Sequence, residues 1–505
     1  NTTECVCERE RERKMGRRSH SAGGAGSACA GSVGGRSVSR MLPTGAVIGA
    51  VVVALLAALL WWGHRRGSVV GPVDSEDLPE PVQGSFEEMA PLEALMKWLT
   101  SIGGSLSPKV EASYCGPDRG YCLASTATIS KGDKLLTVPR GFTLSLQGVR
   151  QLKAVQLLQQ LAAEQGWNLQ WTEILTLGLL VVEDKSGDLL RPWLELLPRE
   201  HHIPAQWSQQ ELDAIQFTDL HRHQVGNILP FVDSMLDHFQ ELSAAYPRHF
   251  PESMLSREKI IWAFGTINSR GFETGGPLGS DSFDVSLIPV VDLLNHNEGG
   301  MPIHVRPSDD GHNVTWVAQS DWPAGKEILL RYNSEKPNDY WLGNYGFLLP
   351  NNPQNVHHLY FAPSPETDPA LATELQAFMQ QEDIPNWIPV LRGQIPKKLL
   401  MALRFSNTPG ASRLTSFHKH SPPLIEMAVV DTVSSMCDSY LTKIPGGSAE
   451  DDERELSSAQ ARGWTRNMQL AVQYRMEVKK ILQGLKNQCL LAYITLKAKL
   501  KGLTL

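Results

Sequence analysis

The chain has 505 residues, of which 42% are hydrophobic and 20% are charged, and its formal net charge is −7. This composition excludes a collagen, a wholly disordered chain and a disulfide-stabilised mini-protein. At about 150 residues per domain, the length predicts two or three globular units. The seven cysteines are scattered and form no CxxC pair. We therefore expect neither a disulfide scaffold nor a bound metal.

Charge is distributed unevenly along the chain. Residues 15–73 contain six arginines and no acid, whereas the four acids and four bases of residues 1–14 cancel. Because the total is −7, residues 74–505 carry −13. An acidic body has no net attraction for nucleic-acid phosphates, so we expect no nucleic-acid partner.

Residues 1–43 form a basic, low-complexity tail. Within it, residues 5–13 alternate Cys with Val and then Glu with Arg, as translated TG and GA nucleotide repeats do. We therefore expect residues 1–14 to be untranslated, with Met15 or Met41 as the start. A solvated charged tail is the alternative.

Residues 44–62 are an uncharged, mostly apolar run of 19 residues, which is long enough to cross a bilayer. The run ends with Trp61 and Trp62, and two arginines follow it, as is typical of a membrane interface. We expect a transmembrane or signal-anchor helix, and hence a single-pass membrane protein of undetermined orientation. The alternative is a targeting segment for the chloroplast or another organelle, because residues 16–40 are rich in Gly, Ser, Ala and Arg and lack acids.

The rest of the chain alternates between segments with patterns typical of strands and segments with patterns typical of helices. Residues 63–90 have the composition of a linker. Strand-like runs at 110–146 and 286–330 flank a segment with helical apolar spacing, and residues 364–505 are again largely helical. We expect an α+β fold. Its β module is split by a helical insertion at about 147–262 and is followed by an all-helical C-terminal domain.

The sequence lacks the motifs of several common classes of enzyme. It has no GxGxxG after a strand, no GxxxxGK[ST], no HExxH and no GxSxG. The histidine pairs at 201–202, 221/223 and 357–358 have no Cys or carboxylate at ligand spacing, so we interpret them as surface or capping residues.

Polar and aromatic residues cluster at the ends of two apolar strands. Asp292, Asn295 and His296 directly follow the apolar run 288–291. Each needs a partner, because an unpaired buried polar group costs about 1–3 kcal/mol. A capped turn at a strand end explains this cluster equally well. In the second cluster, a turn and a strand lead to Tyr332.

Together these strings resemble the SET-domain protein methyltransferases of the branch typified by the Rubisco large-subunit lysine methyltransferase. The resemblance runs from about Leu92 to the C-terminus, and the motifs occur in family order. They are 118–121 with 129–133, 189–198 with 207–212, 262–264 with 269–270, 292–296, 327–332 and 345–347. The resemblance implies a SET domain over 91–354 and a helical substrate-binding domain over 355–505.

The family transfers a methyl group from S-adenosylmethionine to a lysine, or in some relatives a histidine, of a partner protein. The resemblance implies three contacts with the cofactor. Arg119, Gly120 and Tyr121 line it, Arg270 pairs with its carboxylate, and Asn295 and His296 meet its adenine. Asn295 and His296 also fix a knot-like chain crossing, which Asp292 holds. The resemblance further implies that Tyr332 is catalytic and that Tyr345 and Phe347 form walls of the lysine channel. Two positions depart from the pattern, since Asp118 and Asn333 stand where relatives often have glycine.

The expected function is that of a protein-lysine N-methyltransferase that uses S-adenosylmethionine and a lysine-presenting protein partner. Two alternatives remain open. One is a histidine methyltransferase of the same fold, because neutral imidazole is common near pH 7. The other is a membrane-tethered binding module that has lost catalysis.

Overall fold

The structure, a computed structural model, describes residues 80, 86–185, 187, 189–274, 283–308, 310–333, 335–364, 366–408, 410 and 421–502. The tail (1–43), the expected anchor (44–62) and most of the expected linker lie outside these residues. Within the described part, no helix combines the length and the apolar character that a bilayer crossing requires.

Short strands separated by glycine-containing turns form the β module. Residues 130–133 form one such turn: the Asp133 amide donates to the Ser130 carbonyl at 3.0 Å, and Gly132 has a φ of +93°. The strands are β1 (Ser105–Leu106), β2 (Val110–Tyr114), β3 (Tyr121–Ser125), β4 (Lys134–Pro139), β5 (Leu144–Ser145), β6 (Gly271–Glu273), β7 (Val285–Leu287), β8 (Asn295–Pro302), β9 (Val305–Pro307), β10 (Asn313–Val317), β11 (Leu329–Arg331), β12 (Val356–Tyr360) and β13 (Trp387–Leu391).

The strands pair into small sheets. One antiparallel sheet has the order β1-β4-β10-β9, another has the order β5-β7-β6, and β2 pairs with β3 as a hairpin. The strands β8 and β11 are parallel, with Leu329 opposite Asn295. The chain leaving β11 therefore runs beside β8, where the Tyr332 amide donates to His296 Nδ1 at 3.2 Å.

Helices occupy the insertion and most of the C-terminal region. The predicted helical character of the insertion is confirmed, and α15 is the longest of the described helices. The helices are α1 (Phe86–Ser101), α2 (Leu146–Val149), α3 (Lys153–Gln165), α4 (Trp171–Lys185), α5 (Arg191–Leu194), α6 (Gln209–Asp213), α7 (Asp219–His223), α8 (Leu229–Ala245), α9 (Arg257–Arg270), α10 (Asn338–Tyr345), α11 (Pro369–Gln381), α12 (Lys397–Asn407), α13 (Pro423–Lys443), α14 (Ala449–Arg462) and α15 (Arg466–Leu500).

Side-chain caps explain where several helices begin. Ser208 and Glu211 form the predicted capping box at the start of α6, which satisfies two backbone donors that a helix end leaves free. Thr465 caps α15 in the same sense, since its hydroxyl accepts from the Met468 amide at 3.1 Å.

The C-terminal region is helical, as expected, but it is not all-helical. Strands β12 and β13 form an antiparallel pair, and their side chains alternate between buried and exposed positions. His357 and Leu359 face inward from β12, and Ile388 and Val390 face inward from β13. This period of two is typical of a half-buried strand. Both strands are short and lie between helical segments, so the sequence pattern does not reveal them.

The buried side chains of the described residues form two hydrophobic cores. One core joins the β module to much of the insertion, including Leu177 of α4 and Met235 of α8. The other core fills the C-terminal region, and it also contains Trp207, Ile215 and Leu220 of the insertion. The insertion is therefore shared between the two cores.

Candidate active site

A cavity of about 620 Å³ gathers side chains that are far apart in the sequence. It is bordered by the β2–β3 loop, the end of α9, the start of β8, the residue after β11 and the end of α10. The predicted site residues that line it are Arg119, Tyr121, Arg270, Asp292, Asn295, His296, Tyr332, Tyr345 and Phe347. Gly120 belongs to the same loop as Arg119 and Tyr121.

The β2–β3 loop is held at its base and at its tip. A disulfide joins Cys115 to Cys122, and the Cys115 amide donates to the Gly120 carbonyl at 2.8 Å. Gly120 has a φ of +64°, a left-handed conformation that glycine adopts without strain. At the tip, the Arg119 guanidinium forms an ion pair with Glu327.

Arg270 ends helix α9 at the wall of the cavity. Its Nη1 donates to the backbone carbonyl of Asp292. Its Nε is buried and has no hydrogen-bond partner among the described residues. Because an unpaired buried donor is costly, this N–H is suited to an anionic group of a ligand.

Asp292 lies before β8, two positions after a strained residue. Val290 has a φ of +75°, which is an outlier for a β-branched side chain. The Asp292 carboxylate is buried and accepts from Trp193 Nε1 at 2.7 Å. Burial raises the pKa of this carboxyl group, and the charge of Arg270 opposes that rise. Asp292 therefore connects this segment to the insertion, through Trp193, and to α9, through Arg270.

Asn295 connects the start of β8 to the β2–β3 loop. Its side-chain amide donates to Glu327 Oε1 at 2.8 Å and to the Arg119 carbonyl at 3.3 Å. The expected roles in fixing a chain crossing and in contacting an adenine stay predictions.

His296 is neutral and presents a donor. Burial lowers the pKa of its imidazole to about 4. Because Nδ1 accepts from the Tyr332 amide, the ring proton of the neutral form lies on Nε2. That Nε2 is buried and has no partner among the described residues.

Tyr332 follows β11 and lies beside the start of β8. Its hydroxyl donates to the Leu294 carbonyl. Burial raises the pKa of the hydroxyl far above its usual range, so the group stays protonated at any physiological pH. The hydroxyl oxygen can still accept a hydrogen bond while its proton is held by Leu294.

Aromatic rings surround Tyr332. Its ring centroid lies 5.2 Å from that of Tyr345 and 5.2 Å from that of His296. Phe347 stacks on Trp341 at 5.5 Å, and Trp341 stacks on His296 at 4.4 Å. The predicted channel residues Tyr345 and Phe347 therefore belong to one aromatic wall, and Trp341 is a member that the sequence motifs miss.

Gly346, between the two predicted channel residues, is required by a close approach of the insertion. It has a φ of +74°, and a Cβ there would lie 1.8 Å from the His201 carbonyl oxygen. Only glycine fits this position. The insertion thereby sets where Tyr345 and Phe347 stand.

A second cavity of about 330 Å³ shares Arg270, Asp292, Tyr332 and Tyr345 with the first. Its further lining includes Phe272 and Ile303, which the sequence motifs do not identify. Phe272 lies on β6, two positions after Arg270. Tyr332 and Tyr345 border both cavities.

Two of the paired histidines are interior residues, so their interpretation as surface or capping residues is wrong. His201 is buried, with Nε2 at 2.8 Å from Thr266 Oγ1, and burial lowers its pKa to about 3. His357 is also buried, and burial lowers its pKa to about 4. Apolar neighbours from distant segments bury both rings, which local spacing does not reveal.

Potential metal ligands also meet in the described residues, at Cys115, Cys122 and Glu327. The sulfurs are joined in the disulfide, and the carboxylate is paired with Arg119. The expectation that the protein binds no metal stays a prediction.

The hydrogen-bond donors of the larger cavity suit S-adenosylmethionine. Arg270 Nε and His296 Nε2 are buried N–H groups without partners among the described residues. One can satisfy a carboxylate and the other a ring nitrogen or a hydroxyl. The volume of about 620 Å³ is in the range of small-molecule sites, roughly 300–1,000 Å³.

The chain is similar to several known proteins. A family model described as the Rubisco LSMT substrate-binding domain matches residues 368–482. The chain is 24% identical over 300 residues to the chloroplastic ribulose-1,5 bisphosphate carboxylase/oxygenase large subunit N-methyltransferase of Pisum sativum, covering 57% of each protein. It is 22% identical over 455 residues to the chloroplastic [fructose-bisphosphate aldolase]-lysine N-methyltransferase of Arabidopsis thaliana, covering 84% of this chain and 86% of that one.

Relatives outside plants and solved structures extend the comparison. The N-lysine methyltransferase SETD6 of Bos taurus is 24% identical over 311 residues, which are 57% of this chain and 61% of that one. The crystal structure of the SET domain of LSMT bound to MeLysine and AdoHcy has a TM-score of 0.64 at 20% identity, covering 82% of this chain and 94% of that chain. Rubisco LSMT bound to AdoMet has a TM-score of 0.63, also at 20% identity, covering 80% and 93%.

These likenesses establish the fold, which agrees with the one expected from the motifs. The match spans 57% of the pea enzyme and most of the Arabidopsis enzyme. The fold, the C-terminal family match and the sequence similarity make the chain similar to SET-domain proteins of the Rubisco LSMT type.

Proposed function

We propose that the chain transfers the methyl group of S-adenosylmethionine to the side-chain amine of a lysine in a protein substrate. The observation that carries this proposal is that Tyr332 and Tyr345 line two cavities at once. A methyl donor and an acceptor amine that enter from opposite sides would face each other there.

The larger cavity would hold the cofactor. Arg270 would bind its carboxylate through the unpartnered Nε, and His296 would donate from Nε2 to its nucleoside part. The loop with Arg119 and Tyr121 would close over it. When bound, S-adenosylmethionine supplies a methyl group activated by the neighbouring sulfonium.

The smaller cavity would receive the lysine. Phe272, Leu294 and Ile303 give it apolar surfaces, and Arg270, Glu273 and Asp292 give it charged ones. A free lysine has a pKa near 10.4 and must lose its proton before it can attack. The apolar surfaces and the positive charge of Arg270 would favour the neutral, nucleophilic amine.

Tyr332 would orient the amine at the junction. Its hydroxyl stays protonated and is fixed by the Leu294 carbonyl, so it does not act as a base. A fixed hydroxyl oxygen can accept a hydrogen bond from the amine and align its lone pair. Alignment and fixed dipoles are the main sources of rate in such a displacement.

The relatives support a protein lysine as acceptor. Those of pea, Arabidopsis and cattle are named as N-methyltransferases of Rubisco large subunit, of aldolase lysine and of lysine, respectively. The C-terminal match to a substrate-binding domain supports a folded protein as the partner of residues 368–482.

For the location, we propose the organelle alternative. The pea and Arabidopsis relatives are named chloroplastic, which supports a targeting role for the basic, apolar N-terminal segment. The anchor expected at 44–62 and the membrane contact through it lie outside the described residues and gain no support from them.

Incubation of the purified chain with labelled S-adenosylmethionine and a cell extract tests the proposal. We expect label in a protein, and peptide mass spectrometry should place the methyl group on lysine. Methylation confined to histidine would establish the histidine alternative instead. Failure to bind the labelled cofactor would establish the non-catalytic binding module.

A further inference from the structure

We infer that Glu327 is a positioning residue for the cofactor, acting through Arg119 and Asn295. It would fix two side chains of the larger cavity without touching what the cavity holds. The inference rests on the proposed function, because it assigns the larger cavity to S-adenosylmethionine.

The geometry of the carboxylate supports this role. The Glu327 side chain is 0% exposed, and it does not line the cavity that Arg119 and Asn295 line. Its Oε1 accepts from Asn295 Nδ2 at 2.8 Å, and its Oε2 faces the Arg119 guanidinium in an ion pair. One carboxylate thus joins the β2–β3 loop to the start of β8.

The backbone of Glu327 is anchored independently of these partners. Glu327 forms an antiparallel bridge with Ala124 of β3, and the next amide, of Ile328, donates to the Leu123 carbonyl at 2.7 Å. Trp322 Nε1 donates to the Glu327 carbonyl at 3.1 Å. Because this segment is fixed to β3, the carboxylate holds Arg119 in place rather than following it.

The two partners of this ion pair differ in their burial. Glu327 is fully buried, whereas the Arg119 side chain is 33% exposed. A buried carboxylate needs its partners, but an arginine released from it can turn into water. Loss of the negative charge would therefore free the loop tip, while the disulfide of Cys115 and Cys122 still holds the base.

A double-mutant cycle on cofactor affinity tests the inference. The variants are Glu327→Gln, Arg119→Gln and the two combined, with S-adenosylmethionine binding measured by calorimetry. Loss of one charged hydrogen-bonded partner predicts affinity about 5- to 30-fold weaker in each single variant. Because the two residues act through one contact, the double variant should be no weaker than the weaker single variant.

Kinetics separate positioning from a purely structural role. In Glu327→Gln, the KM for S-adenosylmethionine should rise more than kcat falls. Glu183, a partly exposed carboxylate paired with Arg199 and Lys259 in the insertion, supplies the matched control, and Glu183→Gln should leave cofactor affinity unchanged.

The outcomes are distinct. Unchanged affinity in Glu327→Gln, or losses that add in the double variant, would overturn the inference. If Glu327→Gln does not fold, Arg119→Lys tests the inference instead. This variant retains a positive charge for Glu327 and should bind the cofactor better than Arg119→Gln does. Equal affinity of the two Arg119 variants would overturn the role of Glu327. A wild-type chain that binds no S-adenosylmethionine would refute the proposed function itself.

Discussion

Arg270, at the end of α9, is bound to Asp292, in the segment that precedes β8. The Arg270 guanidinium donates to the Asp292 carbonyl, and its positive charge lowers the pKa of the Asp292 carboxyl group against the effect of burial. The same guanidinium keeps a buried Nε unpaired at the wall of both cavities. Nη1 of Arg270 therefore stabilises the fold, and its Nε remains available to bind a ligand.

Replacing Arg270 by Lys should weaken cofactor binding although the positive charge remains. An ammonium cannot reproduce the planar fork that reaches both Asp292 and a ligand. Loss of a charge-assisted hydrogen bond of about 1.5–3 kcal/mol predicts affinity roughly 10- to 150-fold weaker, measurable by calorimetry. Arg257, at the other end of α9 and paired with Asp233 on the surface, provides the control. Affinity in Arg270→Lys equal to that in Arg257→Lys would contradict the assignment.

Reducing the Cys115–Cys122 disulfide should weaken cofactor binding by loosening the β2–β3 loop. The two cysteines are 7 residues apart, and closing a loop of that size stabilises a fold by about 2 kcal/mol in the chain-entropy model. Calorimetry with and without a phosphine reductant measures the effect. The double variant Cys115→Ser/Cys122→Ser should bind as the reduced protein does.

The buried thiol Cys489 lies in the C-terminal core and serves as the control for the reductant. The variant Cys489→Ala should keep the full response to reduction. Identical affinities in the oxidised and reduced wild-type protein would show that the disulfide does not support the cofactor loop.

Asp339 should make stability fall as pH rises. It begins the helix that carries Tyr345, accepts from the Tyr474 hydroxyl at 2.9 Å, and faces the negative charge of Asp219 and the ring of His358. Burial, with the Asp219 charge adding to it, raises its pKa to about 7. A raised carboxyl pKa contributes stability that is complete below about pH 4 and is lost as pH rises through about 7.

Asp339→Asn removes that titration and keeps an acceptor for Tyr474. Relative to the wild type, the variant should gain melting temperature as pH increases from about 5 to 8.5. Groups distant from Asp339 titrate alike in both proteins, so the difference between the two melting curves reports Asp339 and the groups that face it. A difference that does not vary with pH would contradict the raised pKa.

Gly346→Ala should destabilise the site more than the same change at another left-handed glycine. Gly346 and Gly325 both have a φ of +74°, but an added Cβ meets the His201 carbonyl at 1.8 Å only at Gly346 and meets nothing within 4 Å at Gly325. The left-handed backbone alone costs about 1–2 kcal/mol, which Gly325→Ala should show in urea unfolding. Gly346→Ala should exceed it clearly, and equal losses would contradict the close approach.

The sequence motifs anticipate much of the site because its polar residues sit at strand and helix ends. Arg270 closes α9, Asn295 opens β8 and Tyr332 follows β11, so each stands where an element reaches the cavity. Their meeting depends on the parallel pairing of β8 with β11, which the order of motifs implies only through the resemblance.

Residues set by long-range packing could not be anticipated. Trp341 joins the aromatic wall through His296, and Ile303 reaches the smaller cavity from a segment with no motif. The disulfide depends on hairpin register, because the pairing of Tyr114 with Tyr121 brings the flanking cysteines together. Spacing alone does not give that register.

The replacement of Tyr332 by Phe, followed by separate measurements of methyl transfer and cofactor binding, tests the central claim most directly. Phe keeps the ring contacts with His296 and Tyr345 but removes the hydroxyl that Leu294 fixes. We predict methyl transfer to protein lysine reduced by about 100-fold or more, with S-adenosylmethionine affinity within about threefold of the wild type. Undiminished methyl transfer in this variant would contradict the account.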